Sequence, residues 1–190
     1  MRSRRAKIAP NDSQERFESL GVDVFRGEAH FISPEEMEVD GQRLRARNFV
    51  IATGSRAAIP MIEGIDNVPY FTNETVFDEL KEKPESMIVL GGGPIGCELG
   101  QAFARLGVKI DIVQSAGQLH PAEDPDVAQF MQQRFAAEGI SVRVNADAKR
   151  VALRDGKIVL EFKEGDSLKA DTLLIAAGRT PTRPRSTTPI

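Results

Sequence analysis

"MIVLGGGPIGCELGQAFARLG" (residues 87–107) decides how this chain folds. A short apolar run meets three consecutive glycines, and a helical pattern follows. Gly91, Gly93 and Gly96 carry the G-x-G-x-x-G spacing. They stand where that spacing has a mechanism, after a strand and at the opening of a helix. Gly91 is expected to permit the tight turn. Gly93 would let the backbone approach a pyrophosphate without a Cβ, and Gly96 would let the helix pack close to the strand. Gly92, Pro94 and Ile95 complete the loop and the first helical turn, whose free N–H groups and partial positive charge suit an anion. The competing reading is a glycine-rich turn needed only for packing.

Working outward, strand 86–90, helix 94–106 and strand 108–113 make a βαβ unit of the usual size. In dinucleotide-binding units of this kind the residue ending the second strand reads the adenine ribose. An acidic side chain there favours NAD, and a nearby arginine favours NADP. Here that position is Gln114, which is neutral and can donate or accept a hydrogen bond, so NAD and NADP both stay open. Asp111 lies inside the strand, and its side chain is in another phase. Glu98, early in the helix, reads either as a carboxylate favoured by the helix dipole or as a ligand contact. Cys97 reads as a small buried apolar residue rather than a nucleophile. His30 and His120 are isolated, with no metal-ligand spacing.

On the amino-terminal side, residues 11–20 end a helix that Gly21 breaks, and 22–32 alternate as a strand would. Residues 37–54 read as a hairpin with Asp40-Gly41 as its two-residue turn, its second arm ending in the apolar run 49–52. Residues 59–69 read as a linker. A short helix is expected around 73–83, capped by Thr72 or Asn73 and stopped by Pro84. On the carboxyl-terminal side, Asp124-Pro125 opens a second helix whose apolar face is Val127, Phe130, Met131 and Phe135, with Gly139 closing it. Residues 148–178 then alternate as a β-meander with a final buried strand at 173–176.

The chain has 190 residues, 41% of them hydrophobic and 28% charged, so a packed core is expected. A net charge of -3 gives no reason to expect nucleic acid or an anionic membrane surface as partner. Basic clusters at Arg2, Arg4, Arg5 and Lys7, and at Arg179, Arg183 and Arg185, read as solvated ends. A single cysteine allows no disulfide within the chain, and a cytoplasmic setting is expected. The opening residues have a basic start but no apolar run of a secretory segment behind it. No apolar stretch is long enough to span a bilayer.

Three segments occur in order: "NFVIATGSRAAIP" (48–60), "IVLGGGPIGCELGQAFARLG" (88–107) and "DTLLIAAGRTPT" (171–182). Together, with a meander between the second and third, they resemble the class I pyridine nucleotide-disulfide oxidoreductases, and most closely the mercuric reductase and dihydrolipoamide dehydrogenase-like branch. The resemblance covers nearly the whole chain up to about residue 182. It implies an α/β fold: a Rossmann-type NAD(P)-binding domain with a parallel sheet and β-meander, plus partial FAD-domain strands. The implied domains are 1–66 (an FAD-binding segment), 67–176 (the NAD(P)-binding domain) and 177–190 (a return toward the FAD domain, with an atypical tail).

The resemblance also implies an NAD(P)H-dependent FAD flavoprotein. Hydride passes from nicotinamide C4 to flavin N5, and the electrons then reduce a disulfide, quinone or metal ion, the cofactors carrying the chemistry. It places Gly91, Gly92, Gly93, Pro94, Ile95, Gly96 and Glu98 at the nicotinamide nucleotide, with Ala148 and Gly178 as further contacts and Gln114 at the ribose. It places Ala29, Thr53, Gly54, Ser55 and Arg179 with FAD. The family's first glycine motif, its redox cysteine pair and its dimerisation domain with catalytic histidine and glutamate do not occur in these residues. The chain is therefore expected to be the central part of a larger, homodimeric enzyme and to hold no catalytic or metal-binding residue of its own. The alternative is a non-catalytic NAD(P)-binding module or a gene remnant.

Overall fold

The computed structural model describes residues 2–182, which form two compact units. The first takes Met1–Ser55 and the segment from Pro181, and the second takes Arg56–Thr180. In the first, helix α1 (Arg2–Ile8) precedes helix α2 (Gln14–Ser19). The Ser13 side chain starts α2 by accepting from the Arg16 N–H at 3.3 Å. Strands β1 (Ala29–Ser33), β2 (Glu36–Val39) and β3 (Gln42–Arg45) form an antiparallel meander. Val39 pairs with Gln42, so Asp40-Gly41 is the two-residue turn, with φ of +47° and +86°. The strand expected from residue 22 begins only at Ala29, and the apolar run 49–52 joins no strand. The Phe49 ring meets Phe31 edge to face at 5.0 Å, while Val50 is 90% exposed.

Strand β4 (Ser55–Ala57) pairs with β13 (Arg179–Pro181) as a two-stranded ribbon. The second unit continues with β5 (Phe71–Thr72), α3 (Val76–Glu79), β6 (Ser86–Leu90), α4 (Pro94–Arg105) and β7 (Lys109–Val113). Helix α5 (Pro125–Ala137) and strand β8 (Ser141–Arg143) follow. Then come β9 (Ala148–Arg154), β10 (Lys157–Phe162), β11 (Ser167–Ala170) and β12 (Thr172–Ile175). Five strands form a parallel sheet in the order β5-β12-β6-β7-β8, and β9, β10 and β11 form a separate antiparallel sheet.

The apolar runs form strands because both of their faces find a core. Met87 and Val89 of β6, Ile110 and Ile112 of β7 and Leu174 of β12 pack with Cys97, Phe103 and Phe135 on the helical side. Ile88, Leu90, Val113, Leu173 and Ile175 point the other way, against Val151, Ile158, Leu160 and Phe162 of the meander. A parallel strand covered on both faces reads as a continuous apolar run, which is what 87–90 and 173–175 are. The chain steps outward from β6 to β7 to β8. The meander then carries it back, so that β12 enters on the opposite side of β6. The loops after β6 and β12 therefore diverge at the carboxyl edge, the place where parallel sheets of this kind hold ligands.

Three local expectations are corrected. Residues 59–69 are not a free linker: Ile62, Ile65 and Val68 are buried in the meander-side core, and the Val151 N–H donates to the Glu63 carbonyl at 2.8 Å. The amino-terminal part of the first compact unit runs to Ser55, and residues 56–66 lie in the second. The helix expected around 73–83 shrinks to Val76–Glu79, because Phe71–Thr72 pair with β12 and the Thr72 and Thr75 hydroxyls close a tight turn between. On α5, Ala128 and Phe135 are buried, but Val127 and Phe130 face out, at 44% and 68% exposure. Asp111 does lie on the sheet face opposite Ile110 and Ile112, in phase with Val113. Arg183 and Arg185 lie outside the described residues.

Candidate functional site

The turn after β6 is built by close contact. Gly91 has φ +116°, and a Cβ there would sit 2.2 Å from the Ala176 carbonyl oxygen. The Ala176 N–H donates to the Leu90 carbonyl at 2.7 Å, and the Gly91 N–H donates to the Val113 carbonyl at 2.8 Å. The ends of β6, β7 and β12 are tied together at this point. A Cβ on Gly96 would fall 1.9 Å from the Gly91 carbonyl oxygen, so the first turn of α4 rests on the loop itself. At Gly92, a Cβ would lie 2.6 Å from Leu119 Cδ2.

Gly93 is different. Its φ of -81° suits any residue, and a Cβ there would meet nothing within 4 Å. Packing explains the glycines at 91, 92 and 96, but neither packing nor backbone explains the one at 93. Beyond it, α4 begins with Pro94, and no side chain caps it. By helix geometry the Ile95 and Gly96 N–H groups have no intrahelical partner.

The Gly92 peptide is held from both ends. Its N–H donates to Gln114 Oε1 at 3.4 Å, and its carbonyl accepts from the His120 N–H at 2.8 Å and the Cys97 thiol at 3.4 Å. Gln114, which directly follows β7, is buried. Gly92 offers a donor, so the amide oxygen of Gln114 must face the loop. Burial pushes the Cys97 thiol up to about 12, with the Glu98 charge adding to it. That thiol is a packed apolar group and no nucleophile at neutral pH.

Two grooves open on either side of the loop within this unit, sharing Gly91 and Gln114. The larger, about 510 Å³, is bordered by Gly93, Pro94, Ile95, Gly178 and Arg179. The smaller, about 220 Å³, is bordered by Ser115, Ala146, Asp147 and Ala148. Gly178 has φ +141°, and its carbonyl accepts from the Ala58 N–H at 3.0 Å. Glu98 is exposed, one turn into α4. The structure therefore gathers Gly91–Gly93, Pro94, Ile95, Gly96, Gln114, Ala148, Gly178 and Arg179 at one carboxyl edge. Arg179, expected with FAD, borders the same groove as Gly93.

Ala29, Thr53, Gly54 and Ser55 belong to the other unit. There Ala29 pairs with Val39, Thr53 Oγ1 donates to the Thr182 carbonyl, and the Thr182 N–H donates to the Gly54 carbonyl at 3.0 Å. Ser115, Asp147 and Ala177 also line the grooves and were not singled out from sequence. Their signal was available, since each lies two to four residues past the end of a parallel strand. Among the described residues, no group of three or more His, Cys, Asp and Glu side chains could hold a metal ion, and no helix is long and apolar enough to cross a membrane.

A family model described as pyridine nucleotide-disulphide oxidoreductase matches residues 5–186. The chain is 34% identical over 168 residues to a mercuric reductase of Staphylococcus aureus, covering 86% of this chain and 30% of that protein. It is 35% identical over 164 residues to a soluble pyridine nucleotide transhydrogenase of Pseudomonas putida, covering 84% and 35%. Among solved structures, the HOCl-induced flavoprotein disulfide reductase RclA from Escherichia coli superposes with a TM-score of 0.80 at 29% identity, covering 95% of this chain and 42% of that one. The chain thus spans about a third of the length of the curated relatives it matches. With its glycine turn, parallel sheet and meander in the order that the three sequence motifs imply, this chain belongs to the pyridine nucleotide-disulphide oxidoreductase family.

Proposed function

We propose that this chain carries the nicotinamide-nucleotide-binding part of an NAD(P)H-dependent FAD flavoprotein oxidoreductase. The observation that carries the reading is Gly93: it is the loop glycine that nothing among the described residues requires, and it stands in front of an uncapped helix N-terminus. A pyrophosphate supplies the missing reason, because it needs close backbone approach and N–H donors. In this reading the Ile95 and Gly96 N–H groups hold the pyrophosphate. Gln114 and Ala148 border the adenosine, and Gly178, Arg179 and Glu98 flank the nicotinamide side. The bound nucleotide supplies a hydride; the protein positions it and keeps the loop rigid through the two-sided hold on Gly92.

The FAD, the electron acceptor and a homodimeric partner belong to this proposal for the longer enzyme. Ala29, Thr53, Gly54 and Ser55 serve there as contacts on the flavin side. A cytoplasmic setting, with no nucleic acid or membrane partner, suits the composition and the single buried thiol. Calorimetric titration of the Gly93→Val variant with NADH and NADPH tests the reading. Affinity is expected to fall at least about tenfold, equivalent to about 1.4 kcal/mol, with an unchanged unfolding midpoint. Unchanged affinity would show that the loop is a packing turn.

A further inference from the structure

We propose that Asp147 makes the smaller groove favour NADH over NADPH. The proposal rests on the dinucleotide reading above and deepens it by naming what meets the adenosine 2′ position. That position lies near the end of the second strand of the βαβ unit, here Gln114, which borders the smaller groove. Gln114 is neutral, and its amide oxygen is turned toward Gly92, so it sets no charge preference. Among the residues lining this groove, Asp147 carries the one ionisable side chain. It is close to Gln114 in space, because the N–H of the preceding Ala146 donates to the Gln114 carbonyl at 3.0 Å.

Three cations near this rim have acidic partners. Lys163 Nζ lies 2.9 Å from Asp147 Oδ2, and the Lys163 N–H donates to the Asp147 carbonyl at 3.1 Å. Arg143 on β8 faces Asp166, and Arg150 on β9 faces Glu63 at 3.5 Å. A 2′-phosphate carries close to two negative charges at neutral pH, whereas the ribose hydroxyl of NADH carries none. The phosphate would meet a carboxylate whose counter-cation, Lys163, is not among the residues lining the groove, and the hydroxyl would meet an acceptor. The Asp147 side chain is 49% exposed, so solvent screening keeps the discrimination moderate.

The test is fluorescence or calorimetric titration of the 190-residue chain, and of its D147N and K163M variants, with NADH and NADPH at low and high salt. Wild type is expected to bind NADH more tightly. D147N frees Lys163 and should tighten NADPH by about threefold to tenfold while leaving NADH within about twofold. K163M should weaken NADPH further, and salt should narrow the wild-type ratio. A wild-type preference for NADPH, or an unchanged ratio in D147N, would overturn the assignment of Asp147 while leaving the dinucleotide reading intact. Failure of wild type to bind either nucleotide would overturn both.

Discussion

Ile88 and Val50 each sit inside a short apolar run, yet Ile88 is fully buried and Val50 is 90% exposed. The runs "MIVL" and "FVIA" would be read alike from composition. What separates them is company. Ile88 lies on a strand with parallel neighbours on both sides and a meander covering its face. The first unit has a three-stranded sheet, and among its described residues only Val39 is buried. Phe17, Leu20, Val22 and Phe25 are all at least 40% exposed there. Apolar character selects a strand, but a second layer is needed to bury it.

The sharpest break between the two units is expected in cofactor binding. In the second unit a helix N-terminus follows a strand through a glycine turn, whereas in the first both helices precede the strands. Purified, the 190-residue chain should bind nicotinamide nucleotide yet be colourless and lack diaphorase activity, even with FAD added. A yellow preparation that oxidises NADH with a dye acceptor would show that the first unit holds flavin without a glycine turn.

A smaller contrast is energetic. Ile88→Ala should cost about 2–5 kcal/mol of unfolding free energy, since it opens a cavity between sheet and meander. Val50→Ser should change stability by less than about 0.5 kcal/mol. Denaturant unfolding of both variants measures this difference, and equal losses would mean that Val50 is covered in solution.

The smallest effect is a pH dependence inside the second unit. Glu138 joins the ends of α4 and α5. It accepts from Arg105 Nε and Nη2 at 2.9 Å each, from Arg134 Nε at 2.8 Å and from Gln101 Nε2 at 3.1 Å. The Arg105 hydrogen bonds, helped by the charges of both arginines, hold its carboxyl down to about 2 against an ordinary 4.5. A depressed carboxylate adds stability that is fully present above its unfolded value and is lost as pH falls through the folded one. Stability should therefore drop between about pH 4.5 and 2, and Glu138→Gln should flatten that drop. Thermal melts across the range decide it; identical slopes would leave the clamp without a role.

Much of the second unit was legible because its signals are local. The glycine spacing places the turn and Asp124-Pro125 opens α5; in the first unit Asp40-Gly41 makes its hairpin turn through positive φ. The misreadings came where partners are distant in sequence. Residues 59–69 look like a linker until β9 is brought beside them. Val127 and Phe130 share a helical face with Phe135, but only part of that face meets the sheet.

Sequence alone therefore determined the βαβ unit, the glycine turn and the family, because strand, turn and helix preferences depend on residues within a few positions of one another. Tertiary structure alone decided which glycines serve packing and which one faces open space. It also decided that Asp147, more than thirty residues from Gln114, lines the same groove. Both facts arise where β6, β7 and β12 end side by side, a contact that hydrogen bonding and burial across the sheet create and that local preference cannot encode.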